Sequence, residues 1–473
     1  MTTKQFGYNI YVFVCGAAVM MLEFAASRLL APFFGSSIFV WGNIIGVVLM
    51  ALSLGYYVGG KLADRYPNIK TVSLLVLLAS IASSLIPVMT NLLVRPLTFG
   101  LAFSIIGSFV VIVILFALPI FLLGMVSPFM IRLATSNINT AGATAGSLYA
   151  WSTMGSILGT FGSAFLVVPL LGSRETIYLS ALSLALIGVI SLRQIKYIPV
   201  ILLPIVLYLI FYAIPVRAET NIIEQGETYY QYYVVSEEPD RYLLQYNEGL
   251  GTQSYYMKEG INTDSYYDYL AQVPELLEQP NNTLVLGLAG GTLTRELTTL
   301  YPALHLTGVE IDPAIVGVAK KYFHLDDQPI NIVIADGRQF IKFTDQQYDI
   351  IYMDVFTNEY YIPWHMTTVE FFEELAARQP TNGLVAMNIG STSEHTLLFE
   401  TMLTTMQQVY PYVYIKPVPN SLNYVVVASR QDFSHAGFTS FSPSQARQVL
   451  TDNRAPVELY TETMVLKYIT AHL

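Results

Sequence analysis

The stretch that organises the second half of the chain runs from residue 283 to residue 297 and reads Thr-Leu-Val-Leu-Gly-Leu-Ala-Gly-Gly-Thr-Leu-Thr-Arg-Glu-Leu. The apolar run at 283–288 predicts a buried strand, and a helix is predicted to open at Thr292. Between them stand Gly287, Gly290 and Gly291. Because glycine carries no side chain, a ligand can come close to the backbone in such a turn. The pattern is typical of a nucleotide-type α/β domain.

A carboxylate stands at the end of each of the next three predicted strands or directly after it; these strands are His305–Glu310, Asn331–Ala335 and Tyr348–Asp354. Glu310 closes the first, and an acid at this place can accept hydrogen bonds from both ribose hydroxyls. Asp336, followed by Gly337, comes directly after the second, where a carboxylate can accept from an adenine amine. Asp354 closes the third and can serve as a general base if a substrate proton lies within reach. We therefore expect three acids around one nucleoside.

Helical stretches lie between these strands, and further strands are predicted at Gly383–Asn388, Tyr412–Lys416 and Asn423–Ala428. Alternation of strand and helix favours a mostly parallel sheet covered on both faces, with its ligand at the carboxyl ends of the strands. Residues 226–260 instead alternate apolar and polar residues and predict short antiparallel strands. We expect a small β-strand subdomain with a gate segment at 218–282 and an α/β Rossmann-like domain at 283–473.

The first half of the chain, residues 1–217, has a different composition. It predicts about seven membrane-spanning helices, since a bilayer core about 30 Å thick needs about 20 apolar residues per helix. The apolar runs are Tyr8–Ala31, Ile38–Gly60, Thr71–Val94, Phe99–Phe121, Ala145–Leu171, Ile177–Leu192 and Ile198–Ile214. The region 97–133 contains two prolines and can form one kinked span or two short ones. Two pairs of glycines, each pair spaced four apart, at 142 and 146 and at 155 and 159, predict close helix packing.

Charge divides the chain in the same way. The net charge is −10 overall, +8 over residues 1–217 and −18 over residues 218–473. An acidic domain is a poor partner for nucleic acid, because phosphate contacts need Lys and Arg. Basic residues place the first loops in the cytoplasm, but an odd number of spans then puts the second half outside. We expect a multi-pass inner-membrane protein with a cytoplasmic soluble domain. The single cysteine and the scattered histidines predict no metal site.

Residues 226–430 resemble the spermidine synthase (polyamine aminopropyltransferase) family, and the whole chain resembles bacterial membrane-fused members of it. The run at 283–297 matches the Gly-Gly-Gly-Asp-Gly motif, Val309–Asp312 the ribose acid, Asp336-Gly337 the adenine contact, and 348–354 the catalytic strand. Upstream, Asn247–Ser254, which includes Gln253, and Tyr266–Pro274, which includes Tyr267 and Asp268, resemble the strand and gate segments. The resemblance implies a methyltransferase/spermidine synthase-type fold and a homodimer. It also implies decarboxylated S-adenosylmethionine as co-substrate, an amine acceptor and methylthioadenosine as product.

Three positions depart from the family pattern. The acid that holds the donor's ammonium group is Gly290 here, the second acid that grips the polyamine is Thr357, and a gate histidine is Tyr267. A charge-assisted hydrogen bond is worth about 1.5–3 kcal/mol, so the two missing acids weaken the case for a polyamine. Glu359 can replace one of them, and Tyr360 can stack on a cation.

Three functions therefore remain open. The first is an aminopropyltransferase-type enzyme with Asp354 as base. The second is an enzyme that uses intact S-adenosylmethionine, either cleaving it to methylthioadenosine or transferring its aminocarboxypropyl or methyl group, since Gly290 no longer repels a carboxylate. The third is a non-catalytic nucleoside or polyamine sensor, or a transporter. The retained acids Glu310, Asp336 and Asp354 favour catalysis.

Overall fold

The structure is a computed structural model that describes residues 3–35, 37–90, 92, 105–212, 214, 216–217, 219–247, 251–356, 361–433 and 437–472. The chain divides into two compact units, Met1–Ala218 and Glu219–Leu473. The first unit is entirely helical in its described part, and the second is built on two β-sheets.

Six helices of the described residues are long and apolar enough to cross a membrane, by length and composition. They are α1 Gln5–Phe34, α2 Ile38–Arg65, α3 Ile69–Met89, α4 Ile106–Ala134, α5 Ile138–Leu171 and α6 Ser173–Leu192. The seventh predicted span is the shorter apolar helix α7, Ile195–Phe211. In each of the six long helices, an 18-residue window holds at most two charged residues.

Residues 97–104 of the region predicted as one kinked span or two short ones lie outside the described residues, and its described part belongs to the single helix α4. A π turn at Val113–Ala117 lies just before Pro119. A second π turn, Ser163–Val167, lies just before Pro169 in α5. Proline has no N–H, and its ring crowds the carbonyl four residues earlier. The helix accommodates each proline by changing its hydrogen-bond pattern locally to that of a π turn.

Two of the four spaced glycines pack as predicted. A Cβ atom at Gly155 would lie 2.7 Å from the carbonyl carbon of Phe13, and one at Gly159 would lie 2.8 Å from Cα of Ala17. Helices α1 and α5 therefore touch backbone to backbone. Gly142 and Gly146 face open space within the described part of the unit, so the prediction of close packing was wrong for them.

The second unit begins with a four-stranded antiparallel sheet, in the order β1 Ile222–Glu227, β2 Tyr232–Glu237, β3 Arg241–Tyr246 and β4 Ser254–Met257. Its apolar face, with Val235 and Leu244, packs against Ile315 and Val318. This is the small sheet that the alternating pattern predicted.

The larger sheet has eight strands in the order β12-β10-β11-β9-β8-β5-β6-β7. The strands are β5 Asn282–Leu286, β6 His305–Glu310, β7 Ile330–Ile334, β8 Ile350–Met353, β9 Leu384–Gly390, β10 Tyr412–Pro417, β11 Asn423–Ser429 and β12 Thr439–Ser440. Strands β5 to β9 run parallel, and β10 to β12 add antiparallel pairs. The chain order reverses between β5 and β8, which is where such sheets bind ligands.

Helices cover both faces of this sheet. They are α8 Tyr266–Leu270, α9 Thr292–Leu300, α10 Pro313–Tyr322, α11 Gly337–Phe343, α12 Val369–Ala376, α13 Leu397–Met406 and α14 Val457–His472. One core contains residues of α11 to α14, and the opposite core contains residues of α8 and α9. The predicted fold, an apolar helical bundle followed by a Rossmann-like domain with a small sheet, is confirmed, and the main strands lie within a few residues of their predicted bounds.

The contact at Gly155 gives a testable prediction for the bundle. Gly155→Ala should destabilise the full chain by about 1–3 kcal/mol, because the added methyl group forces apart two touching backbones. Gly146→Ala is the matched control, since a Cβ there meets open space. Thermal unfolding of the detergent-solubilised protein measures both, and equal stability of the two variants would contradict the packing described.

Candidate functional site

The glycine turn after β5 brings two backbones together. Gly287 has φ +84°, and a Cβ at this position would lie 3.0 Å from the carbonyl carbon of Asp354 and overlap its oxygen. The amide of Gly287 donates to the carbonyl of Val309, 2.9 Å away. Gly291, with φ +81°, ends the turn against Leu325 and leads into α9. The turn therefore joins the ends of β6 and β8, and only glycine fits at 287.

Glu310, at the end of β6, lies under the same turn. Its Oε2 accepts from the backbone amides of Leu288 (3.2 Å) and Ala289 (3.0 Å), and its Oε1 accepts from that of Asp312 (3.0 Å). Burial raises the pKa of Glu310, and these backbone hydrogen bonds oppose the rise. A carboxylate has about four acceptor sites. The three bonds thus fix the side chain and leave Oε1 able to accept from a ligand hydroxyl.

Asp336 follows β7 and caps α11. Its Oδ1 accepts from the amide of Gln339 at 2.9 Å, and its Oδ2 lies 3.7 Å from Nε2 of His365. The imidazole of His365 lowers the pKa of Asp336. The strand end that carries Asp336 is joined to β6, since the amide of Ala335 donates to the carbonyl of Glu310 at 3.0 Å. Asp336 is therefore a half-buried anion beside Glu310 in the sheet.

Asp354 is the acid with the most unusual surroundings. Its Oδ2 accepts from the hydroxyl of Tyr266 at 3.1 Å, whereas its buried Oδ1 has no hydrogen-bond partner among the residues that the structure describes. Burial raises the pKa of Asp354 to about 7, and the hydrogen bond from Tyr266 limits the rise. A carboxyl group poised near neutrality, with one oxygen unpaired, is suited to take a proton.

The gate segment holds itself in place through two of the predicted residues. The hydroxyl of Tyr267 donates to the backbone carbonyl of Gln253 at 2.6 Å, and Oε1 of Gln253 accepts from the amide of Tyr246 at 2.8 Å. These bonds fix helix α8 against the loop that precedes β4. In this structure both side chains brace the segment, and direct contact of either with a ligand stays a prediction.

Asp268 also organises the gate segment. Its Oδ1 accepts from the amide and hydroxyl of Thr263, both at 2.8 Å, and its Oδ2 accepts from the amide of Asp264 at 2.9 Å. Beneath it lies Glu296 of α9, which is 3% exposed and whose Oε1 has no partner in the described part of the chain. Burial, the charge of Asp268 and a hydrogen bond to it raise the pKa of Glu296 to about 9.

The departure at Gly290 has a steric cause. Its amide donates to Oγ of Ser254 at 2.7 Å, and a Cβ there would lie 2.7 Å from Cβ of Ser254 and 2.8 Å from the ring of Phe323. The space that an acidic side chain would need is filled by these two residues. Gly290 is thus part of a repacked wall, and adding an aspartate would displace its neighbours.

The structure brings the glycine turn, Glu310 and Asp354 together and sets Asp336 on the adjoining strand. Thr357, Glu359 and Tyr360 lie outside the described residues. Sequence reasoning missed Tyr266 and Ser254 as site residues. Both stand beside residues that were predicted, Tyr267 and Gln253. The signal for Tyr266 was its place in the gate motif. In a helix as short as α8, however, the sequence alone does not show whether Tyr266 or Tyr267 contacts Asp354.

The buried carboxyl pair predicts a pH effect on stability. Between the usual glutamate pKa of about 4.3 and about 9, Glu296 holds a proton in the folded chain that the unfolded chain has lost. The folded state is therefore destabilised as pH rises through this window. Glu296→Gln should be more stable than the wild type at pH 8 and similar to it at pH 4.5. Thermal unfolding at both pH values tests this, and an unchanged difference would contradict a protonated Glu296.

The chain is similar in sequence to several known proteins. A family profile, the spermine/spermidine synthase domain, matches residues 263–433. A probable polyamine aminopropyl transferase of Bifidobacterium longum is 35% identical over 178 residues, which are 37% of this chain and 39% of that protein. The polyamine aminopropyltransferase of Vibrio vulnificus is 29% identical over 220 residues, 45% of this chain and 72% of that protein.

Other similarities extend further along the chain. Polyamine aminopropyltransferase 2 of Aquifex aeolicus is 23% identical over 482 residues, and the match covers 94% of this chain and 92% of that protein. The solved spermidine synthase of Thermotoga maritima is 19% identical, with 54% of this chain and 88% of that chain covered and a TM-score of 0.39. On these sequence matches, residues 263–433 resemble a spermine/spermidine synthase domain, and the chain is similar to polyamine aminopropyltransferases.

Proposed function

We propose that the second unit transfers the aminopropyl group of decarboxylated S-adenosylmethionine to an amine and releases methylthioadenosine. The observation that carries this proposal is Asp354. Its unpaired, buried oxygen lies beside the glycine turn, and its pKa is raised to about 7. A base of this kind is what an amine needs as it attacks carbon.

The proposed step conserves atoms and charge. The amine nitrogen forms a bond to the propyl carbon next to sulfur, and the carbon–sulfur bond breaks with its electron pair going to sulfur. The sulfonium becomes the neutral thioether methylthioadenosine, and the attacking nitrogen loses a proton to Asp354. Since the sulfonium is already a good leaving group, the protein chiefly positions the reactants and supplies the base.

The remaining acids would hold the nucleoside. Glu310 would accept from the ribose hydroxyls through the free capacity of Oε1, since its other bonds fix it under the turn. Asp336, kept anionic by its lowered pKa, would accept from the adenine amine. The backbone at Gly287 and Gly291 leaves room for the donor. The acceptor of the aminopropyl group would be a small-molecule amine.

A second candidate, the use of intact S-adenosylmethionine, is favoured by one observation. Gly290 and its neighbours leave no negative charge at the place where the family pattern has an acid, so the donor's carboxylate meets no repulsion. Such an enzyme would cleave the donor or transfer its aminocarboxypropyl group.

One assay separates these functions and also tests the location that we propose. The helices α1 to α6 would anchor the chain in the inner membrane with the second unit facing the cytoplasm. Inside-out vesicles carrying the protein should then release methylthioadenosine from decarboxylated S-adenosylmethionine plus putrescine without detergent. Release from intact S-adenosylmethionine would select the second candidate. Binding without release would select a sensor, and activity only in right-side-out vesicles would reverse the orientation.

Two substitutions test the proposed base. Asp354→Asn should lower turnover by at least about 100-fold and leave methylthioadenosine binding nearly unchanged. Asp349→Asn is the matched control, because Asp349 lies at the other end of β8 and only accepts from the amides of Asn281 and Asn282. Mass-spectrometric product assays and calorimetric titration measure the two quantities. Unaltered turnover in Asp354→Asn would remove Asp354 from the mechanism.

The pH dependence gives an independent check. The rate should rise with pH through about 7 as Asp354 loses its proton. Tyr266→Phe removes a hydrogen bond that lowers the pKa of Asp354, so this limb should move to higher pH by about one unit. A pH–rate profile of both proteins measures the shift. A limb that stays in place in Tyr266→Phe would show that Asp354 is not the titrating base.

A further inference from the structure

Two buried acceptor atoms lie at neighbouring strand ends. One is Oδ1 of Asp354, and the other is Oδ1 of Asn388, a residue that is 3% exposed. Neither atom has a hydrogen-bond partner among the residues that the structure describes. Buried polar atoms are nearly always paired, so two such atoms close together indicate a ligand that supplies donors.

The register of the sheet places the two side chains together. Met353 of β8 lies opposite Met387 of β9, and both pack into the same core. Successive side chains on a strand alternate between faces. The next residues, Asp354 and Asn388, therefore turn to the other face side by side. Tyr352 and Ala386, one residue before the methionines, pack there with Tyr266 and Tyr267.

This second face is the one on which the base is held. The hydroxyl of Tyr266 binds Oδ2 of Asp354, which leaves Oδ1 as the free oxygen of the carboxylate. The strand that carries Asn388 is otherwise apolar, with Leu384, Val385 and Ala386 before it and Ile389 after it. The carbonyl oxygen of the Asn388 amide is therefore an acceptor for which the described residues supply no donor.

We propose that Asn388 binds the acceptor amine, its Oδ1 receiving one N–H of the nucleophile while Oδ1 of Asp354 receives the other. This rests on the proposed function and names a further residue of the same site. A neutral primary amine has two N–H groups and one lone pair. With both N–H groups held, the lone pair points away from the strand ends and can attack the propyl carbon, and the nitrogen then passes its proton to Asp354.

The pair also sets a preference among nucleophiles. An alcohol brings one O–H and a secondary amine brings one N–H, so either would leave one of the two acceptors unpaired. A primary amine satisfies both. Recognition would depend on the number of donors at the reacting nitrogen, and no second charge would be needed at this point of the site. The site thus selects primary amines over alcohols of similar size.

Binding of putrescine to the full chain in detergent, saturated with methylthioadenosine, tests the proposal without requiring turnover. Asn388→Leu should weaken putrescine binding at least about tenfold and leave methylthioadenosine binding unchanged. Where the enzyme turns over, KM for the amine should rise by the same factor, and the acid limb of the pH profile should stay in place. Gln379→Leu is the matched control, because Gln379 is a buried amide that binds the carbonyl of Leu384 at the opposite end of β9.

Two results for Asn388→Leu would overturn the proposal. One is unchanged affinity for putrescine. The other is a shifted acid limb with unchanged KM, which would mean that Asn388 only positions Asp354 through a water molecule. A wild type that binds no putrescine beside methylthioadenosine also overturns it. A wild type that binds putrescine but transfers nothing would refute the proposed function and leave this inference standing.

A second variant guards against a folding defect in Asn388→Leu. Asn388→Asp keeps the size and an acceptor oxygen, so putrescine binding should be retained or strengthened. The added negative charge beside Asp354 should move the acid limb to higher pH. Loss of putrescine binding in this variant, with methylthioadenosine binding intact, would contradict the role of Asn388 as an acceptor of N–H groups.

Discussion

The second unit depends on the approach of one backbone to another at Gly287. Its turn rests on the carbonyl of Asp354 so closely that a methyl group would overlap it. The amide of Gly287 also reaches the carbonyl of Val309, one residue before Glu310. One residue without a side chain thereby draws the ends of three parallel strands together. Glu310 and Asp354, at the ends of two of these strands, are adjacent because the backbones are, and any larger residue at position 287 would separate them.

The three acids then differ because their solvation differs. Glu310 is buried but receives three backbone N–H groups, and Asp336 is half-exposed and lies near an imidazole. The carboxyl group of Asp354, with Oδ1 buried, receives one tyrosine hydroxyl. Backbone amides stabilise the anion without adding charge, so Glu310 can remain in place as a ligand-binding group. Asp354 receives less compensation, and its pKa rises to about 7. In the function that we propose, ligand binding and proton transfer thus go to different carboxylates because each receives a different number of hydrogen-bond donors.

Much of this arrangement was predictable from sequence, and the reason is general. In a parallel sheet the carboxyl ends of the strands meet at one edge, so the acids at 310, 336 and 354 could be placed together from the strand pattern alone. The glycine turn at 287–291 was also predictable, because three glycines stand between a predicted strand and a predicted helix. Features that arise from packing between distant segments were not predictable. The crowding of Gly290 comes from Ser254 and Phe323, which lie 36 and 33 positions away along the chain, and Gly142 and Gly146 follow the same spacing as Gly155 and Gly159 without touching a helix.

Asn388 shows the same limit from the opposite side. In the run Leu-Val-Ala-Met-Asn-Ile-Gly at 384–390 it is one polar residue in a strand whose described residues are all buried, and nothing nearby in sequence marks it as functional. Two structural facts point to its role. The strand register sets Asn388 beside Asp354, and neither Oδ1 of Asn388 nor Oδ1 of Asp354 has a donor among the described residues. A family acid that grips a cationic amine acts by charge at long range, whereas an amide oxygen acts only at hydrogen-bond distance. A chain that lacks the acids at 290 and 357 can therefore still recognise an amine, by counting N–H groups at the nitrogen that reacts.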